Sequence, residues 1–318
     1  MIITSYTLDR LNDIRELLDC LTAQTYPVFE TVFILERSKT LAEAVQEHAR
    51  RLGFPVIIKF NQGEPGLSQA RNLGAAAAHG DILGFVDDDT IPSKEWAAEV
   101  VQTFQDPTVI AVTGPAEPLW EAEPVTWLPE EFHWLLGCTT WAKWDSPREI
   151  RNAWGMNMAF RREAFEHGRG FSSQFGLQDG GRAPWLDPPS EDVDFSIRVR
   201  RASGKRVLFN PRVRVRHRVH GYRLGLRFIA HRAASVGFQR RMIRRLYPPR
   251  LDESLLEAEV NLLRRILSHL LPHTFALGLQ HPLLAARRLF ITVYIMVFVT
   301  VGYLWPSGKT KGAAPQPS

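Results

Sequence analysis

Residues 81–92 read DILGFVDDDTIP: an uncharged run, Ile82 to Val86, drives straight into three adjacent carboxylates, Asp87, Asp88 and Asp89. A segment apolar at every position fits a strand covered on both faces, as in a parallel α/β sheet. Like charges at its end repel unless a cation joins them. The chain must therefore bury this strand while presenting its tip to something positive.

Around it, short apolar segments (Ile2 to Thr4, Thr31 to Leu35, Val56 to Phe60) alternate with helical patterns at Asp9 to Gln24, Leu41 to Leu52 and Leu67 to Ala78. That alternation predicts βαβ units on a mostly parallel sheet. Open sheets of this kind bind ligands beyond the carboxyl ends of their strands. Ser5, Tyr6 and Thr7 follow the first strand, Glu36 the second and the aspartates the fourth. Alternating side chains send Asp87 and Asp89 to one side and Asp88 to the other. Paired hard oxygen donors suit Mg²⁺ or Mn²⁺, which in turn bridges a diphosphate. The competing reading makes Asp89 the cap of a helix begun by PSKEW and leaves the others solvated.

Beyond Pro107 the pattern changes to short strands, such as Val109 to Gly114, and a tryptophan-rich stretch, PLWEAEPVTWLPEEFHWLLGCTTWAKW. A Gly/Pro-rich loop, QDGGRAPWLDPPSED, then runs into a helix-like VDFSIRVRRASG and a strand-like RVLFNPRVRVRH. Glu191, Asp192 and Asp194 open that helix, where its dipole favours carboxylates. The loop before them reads as a lid, and a carboxylate held beneath it can deprotonate an acceptor hydroxyl. No Ser-His triad spacing, zinc-ligand cluster or Walker loop is present.

The balance of 45% hydrophobic and 23% charged residues in 318 excludes wholesale disorder. The net charge of +5 is concentrated as arginine between Arg198 and Arg250, a patch suited to nucleic acid, an anionic membrane or a phosphorylated substrate. Cys20 and Cys138 make no disulfide framework, which fits a reducing cytosolic setting. The opening MIITSY enters a strand at once, so no signal peptide is expected. From Arg223 the chain reads as helical, with Leu256, Val260, Leu263, Leu267 and Leu270 forming one apolar stripe. Residues 289–305, LFITVYIMVFVTVGYLW, carry no charge and end in interfacial-type Tyr303 and Trp305. They predict a membrane segment, with a buried or re-entrant helix as the alternative. The expected organisation is a catalytic domain at 1–222, a basic amphipathic helical region at 223–282, a membrane helix at 283–306 and a disordered tail at 307–318.

Taken together, NQGEPGLSQARNLGAAAAHGDILGFVDDDTIP, GMNMAFRREAF and SEDVDFSIRVRRASGKRVLFNPRVRVRH resemble, in order and spacing, the inverting family-2 glycosyltransferases with the GT-A fold. The resemblance covers residues 1–220. The stretch WLPEEFHWLLGCTTW…REIRNAWGMNMAFRRE is similar to that of archaeal-type glucosyl-dolichyl-phosphate glucuronosyltransferases. The resemblance implies Ser5 and Tyr6 beside the nucleotide base, Glu36 accepting from a uracil ring, and Arg71 and Asn72 meeting the nucleotide. It implies Asp87 toward the ribose, Asp89 on the metal, and His217 completing the metal and diphosphate site. Asp88 and Glu191 would adjoin the donor, Trp154 and Asn157 would shape the acceptor side, and Asp192 would be the general base. Glu36 replaces the aspartate usual in the family, and ERSKT departs from its Asp-Gly-Ser turn. The implied enzyme uses Mg²⁺ or Mn²⁺ and moves a sugar from a nucleotide donor, UDP-linked, to a hydroxyl of a lipid-linked glycan. It would act at the cytoplasmic face of the cell membrane, with no nucleic-acid partner.

Three other readings compete. A polyprenyl-phosphate sugar synthase would use the lipid phosphate itself as acceptor. A membrane-tethered binder of anionic lipid or nucleic acid would use the arginine-rich stretch. A nucleotidyltransferase needs a glycine-rich loop after the first strand, which TSYTLDRLND lacks.

Overall fold

The computed structural model describes residues 1–63, 65–121, 123–173, 191–248 and 257–305. Strands β1 (Ile2–Ser5), β2 (Thr31–Leu35), β3 (Val56–Phe60) and β4 (Ile82–Val86) alternate with helices α1 (Leu11–Thr22), α2 (Lys39–Leu52) and α3 (Leu67–Ala77). Next come β5 (Thr90–Pro92), α4 (Trp96–Thr103), β6 (Val109–Thr113) and β7 (Ala116–Trp120). After them lie β8 (Arg148–Ile150), β9 (Asn157–Arg161), α5 (Glu163–Gly168), α6 (Glu191–Ser203), β10 (Arg206–Phe209) and β11 (Val215–Val219). All of these elements belong to one compact unit, the described parts of 1–123, 136–173 and 191–220.

Eight strands form its main sheet in the order β3-β2-β1-β4-β9-β6-β10-β8. The first four run parallel, as do β6 and β10, whereas β9 is antiparallel to both β4 and β6. A three-stranded sheet, β5-β11-β7, stands separately. Strand β4 is central, and Leu83, Phe85 and Val86 are each at most 3% exposed. Burying each such side chain is worth about 1.5–3 kcal/mol, so its register is firmly set. Gly84 is required there: a Cβ would stand 2.8 Å from the Trp96 ring. Local signals shape the helices too. The Ser38 side chain accepts from the Leu41 amide to cap α2, which ends at Gly53 in the left-handed conformation.

Two expectations change here. Asp89 caps no helix, because β5 intervenes and α4 begins at Trp96 behind Glu95. RVLFNPRVRVRH is two strands in two sheets, turned at Asn210, whose Oδ1 accepts from the Arg212 amide at 2.9 Å. Several of the arginines up to residue 218 are bound internally, whereas Arg212, Arg214 and Arg216 stand exposed. Arg198 pairs with Asp194, Arg200 with Glu149, Arg206 with Asp106 and Arg218 with Asp13.

The second unit contains residues 124–135 and, among those described, 221–305. It carries α7 (Leu226–Leu246), α8 (Glu257–Arg265), a π-helical turn at Ile266–Leu270, α9 (Leu271–Gly278) and α10 (Pro282–Leu304). Of the expected stripe, Val260, Leu263 and Leu267 are exposed and Leu270 is buried; Leu256 lies outside the described residues. Helix α10, with mean hydropathy 1.8, is long and apolar enough to cross a membrane. The expected lid at 178–190 and the tail at 307–318 lie outside the described residues.

Candidate active site

The tip of β4 delivers Asp87, Asp88 and Asp89 to the carboxyl edge of the main sheet, where β5 turns the chain away. Strand β11 lies antiparallel to β5, with His217 opposite Thr90. This register brings the imidazole to the acidic tip. His217 Nε2 lies 3.2 Å from Asp89 Oδ1, and both residues are buried. One ligand atom from each of Asp87, Asp89 and His217 falls within 4.8 Å of the others, spacing suited to a divalent cation. Gly137 makes room for the ring: its φ is +78°, and a Cβ there would stand 2.6 Å from His217 Cε1.

Other groups at Asp89 were not anticipated from the sequence. Arg10 Nη1 reaches Asp89 Oδ2 at 3.0 Å, and His220 Nε2 lies 3.7 Å from the same oxygen. Asp13, near Arg10, Arg218 and His220, has a carboxyl pushed upward by burial, against the pull of those cations. The signal was present in HRVH and DRLND, but without topology nothing linked them. Asp88 lies near the Ser5 hydroxyl and Asp89. Burial and the adjacent Asp89 push its pKa up to about 7, opposed by Ser5 and Arg10.

Arg71 is the hub of a second arrangement. It is almost wholly buried on α3, not a surface arginine. Its guanidinium meets Glu191 Oε1 at 2.5 Å, Asp87 Oδ1 at 3.0 Å and the Gly155 carbonyl at 3.0 Å. Burial raises the Glu191 pKa, while Arg71 pulls it down. Gly155 also donates its N–H to Asp192 Oδ2 at 2.9 Å, and Asp192 Oδ1 accepts from the Val193 amide at 2.8 Å. Asp192 is thus oriented by two backbone donors and remains partly exposed. The adjoining Asp194 instead pairs with Arg198 and locks the helix.

Glu36 follows β2, as expected. Its Oε1 accepts from Asn61 Nδ2 at 2.8 Å and the Gly66 amide at 3.3 Å, while its buried Oε2 has no protein hydrogen bond among the described residues. Ser5 is buried at the end of β1, and Tyr6 next to it is 70% exposed. Asn72 points elsewhere: its amide exchanges two hydrogen bonds with the Phe171 backbone. Trp154 stacks on Trp144, with centroids 6.1 Å apart, and is only partly buried. Asn157 departs from its expected acceptor role. It is 0% exposed, accepts from Trp96 Nε1 and donates to the carbonyls of Gly114 and Val213, leaving nothing for a ligand.

Comparison with known proteins gives this geometry a context. The family description "Glycosyl transferase family 2" matches residues 2–169. The chain is similar to the glucosyl-dolichyl phosphate glucuronosyltransferase of Haloferax volcanii, with 28% identity over 254 residues, 80% of this chain and 79% of that protein. Among solved structures it resembles the mannosyltransferase PcManGT from Pyrobaculum calidifontis, in complex with GDP-Man and Mn²⁺. The TM-score is 0.62 at 20% identity, covering 96% of this chain and 86% of that one. GalNAc-T7 with UDP, GalNAc and Mn²⁺ aligns with TM-score 0.52 at 18% identity, over 74% of this chain and 46% of that one. The fold is the one these structures share.

Proposed function

The chain belongs to glycosyltransferase family 2 and has the GT-A fold; from that premise we propose that it inverts a sugar on transfer from a UDP-linked donor to a hydroxyl of a lipid-linked glycan at the cytoplasmic face of the membrane. The single observation carrying this is the convergence of Asp87, Asp89 and His217 at one end of a buried strand, with Asp192 held nearby through Gly155 and Arg71.

Two carboxylates and an imidazole fit Mg²⁺ or Mn²⁺, and both solved relatives described above carry Mn²⁺. When bound, such a cation neutralises the charge that develops on a departing nucleoside diphosphate. The chain's own groups do the rest. Glu36 Oε2, buried and without a hydrogen bond among the described residues, accepts from the base. Arg71 fixes Asp87 and Glu191, so the donor-side acids are oriented before substrate arrives. Asp192 takes the acceptor hydroxyl's proton, with both its oxygens steered by backbone N–H groups. Trp154 offers an aromatic face on the acceptor side. A lipid-linked acceptor is supported by the name of the Haloferax volcanii relative and by the apolar helix α10.

The reading is tested by screening nucleotide sugars for stimulated hydrolysis by detergent-solubilised protein, with Mn²⁺, Mg²⁺ or EDTA. It requires divalent-dependent release of UDP from one of the UDP-sugars. Metal-independent release, or preference for a GDP-sugar, would contradict the metal or the base assignment respectively.

A further inference from the structure

Strand β8 is one outer edge of the main sheet, and its first residue is Arg148. Arg148 stands opposite Phe209 of β10, and Phe209 in turn stands opposite Thr113 of β6. Those two positions end their strands, so Arg148 sits at the same carboxyl edge as the aspartate tip. The strands between run β4-β9-β6-β10-β8, about 19 Å across at the usual inter-strand spacing. Arg148 is exposed, and its guanidinium carbon lies over the Trp144 ring, 4.8 Å from the centroid. Trp144 stacks on Trp154 with planes 18° apart, and Phe209 meets both rings in T-shaped contacts at 5.1 and 5.8 Å. Phe209 is buried and the two tryptophans are half-buried, so the sheet anchors a cluster that still meets solvent. The backbone bends to build it: Lys143, just before Trp144, has φ +51°, in the left-handed region. Residues with side chains hold that conformation only where their surroundings impose it, and such positions concentrate at ligand sites.

Other arginines near this edge are answered by acids, Arg200 by Glu149 and Arg206 by Asp106. Among the described residues no carboxylate pairs with Arg148, whose side chain instead rests on Trp144. Stacking occupies the face of a guanidinium and leaves its in-plane N–H fork open, held in one orientation. That fork matches two oxygens of a phosphate. The cluster also has a fixed relation to the chemistry. Trp154 bridges to Asn157 at the start of β9 and precedes Gly155, whose N–H holds Asp192. From β9 to β8 is about 14 Å by strand spacing, enough for a short glycan between a hydroxyl at Asp192 and an anion at Arg148. The donor diphosphate is assigned to the aspartates beyond β4, so an anion at Arg148 belongs to the acceptor.

We propose that Arg148, oriented by Trp144, binds the phosphate of a lipid-linked acceptor, while the Trp144–Trp154 stack receives the apolar groups beside that phosphate. The chain thereby recognises its acceptor as a glycosyl phosphodiester rather than as a free glycan. The inference rests on the lipid-linked acceptor of the previous subsection and names the group by which it is selected. Arg148 touches no reacting atom; its part is binding and specificity.

Calorimetry on the detergent-solubilised full chain, with UDP and Mn²⁺ present, tests this. The probes are the butyl phosphodiester of glucose, butyl glucoside, butyl glucuronide and inorganic phosphate. Wild type should bind the phosphodiester most tightly. Arg148→Ala should weaken that binding roughly tenfold to a hundredfold, the reach of charge-assisted hydrogen bonds, and bring it level with the glucoside. Arg148→Lys keeps the charge without the fork and should recover only part of the loss. Equal affinities of wild type for phosphodiester and glucoside would overturn the proposal. So would equal weakening of both by Arg148→Ala, which would mean a packing role. An Arg148-dependent preference for the glucuronide would assign the anion to a sugar carboxylate and overturn the phosphate; inorganic phosphate binding as tightly as the phosphodiester would assign the fork to a free ion. Metal-dependent UDP release is a separate readout: its loss with the phosphodiester preference intact fails the donor reading alone, and its retention without that preference fails this inference alone.

Discussion

Arg71 and Glu191 meet as a buried ion pair, 2.5 Å between Nη1 and Oε1, although 120 residues separate them in sequence. The pair ties α3 to the first turn of α6 and sets Asp87 and Gly155 by the same guanidinium. Removing one partner of such a pair leaves an uncompensated buried charge, at a cost of about 3–5 kcal/mol. Arg71→Ala should therefore lower the melting temperature sharply, and adding Glu191→Gln should recover part of the loss. The double-mutant cycle, measured by thermal denaturation, checks this; additive losses would mean the two are not coupled.

Asp192→Asn should reduce turnover by about 10²- to 10⁴-fold, the usual reach of a general base, with melting temperature and nucleotide binding unchanged. Steady-state kinetics with a glycan acceptor reads this directly. Near-normal turnover would favour an acceptor that is already ionised, such as a polyprenyl phosphate.

Gly137→Ala should disturb the acidic tip without touching an acid. The new methyl would press on the His217 ring, and the backbone there has positive φ. Displacing an outer support of a metal ligand typically costs 10- to 100-fold in affinity. Titrating Mn²⁺ into wild type and variant measures it; equal affinities would remove His217 from the metal site.

Asp88 makes stability depend on pH. Its folded pKa of about 7 stands above its ordinary value of 3.8, so the folded chain holds a proton that the unfolded chain has released. Stability is therefore lost as pH rises through that window. In EDTA, Asp88→Asn should match wild type near the low end of the window and become the more stable protein above about pH 7. A melting-temperature difference constant across pH would contradict the burial of this carboxyl.

Much of the fold was legible because burial leaves a local trace. Ile82–Val86 and Thr31–Leu35 are apolar throughout since both faces are covered, and they begin and end within the structure as the pattern indicates. The insertion of β9 between β4 and β6 left no such trace, because strand order depends on partners far along the chain. The same limit hid Arg10 and His220 beside Asp89, and it made Asn157 look like a binding residue. Its amide carries the polarity expected of a ligand contact, yet that polarity is consumed by Trp96, Gly114 and Val213. The arginine-rich stretch showed charge without its pairing acids, which lie on other elements.

The account turns on the Asp87–Asp89–His217 tip gripping a diphosphate through a divalent cation. Titration calorimetry of UDP and GDP binding, with Mn²⁺ or EDTA, to wild type and to Asp89→Ala tests that claim most directly. The account predicts tight, Mn²⁺-dependent binding by wild type that both EDTA and Asp89→Ala abolish. Binding that survives either treatment unchanged would contradict it.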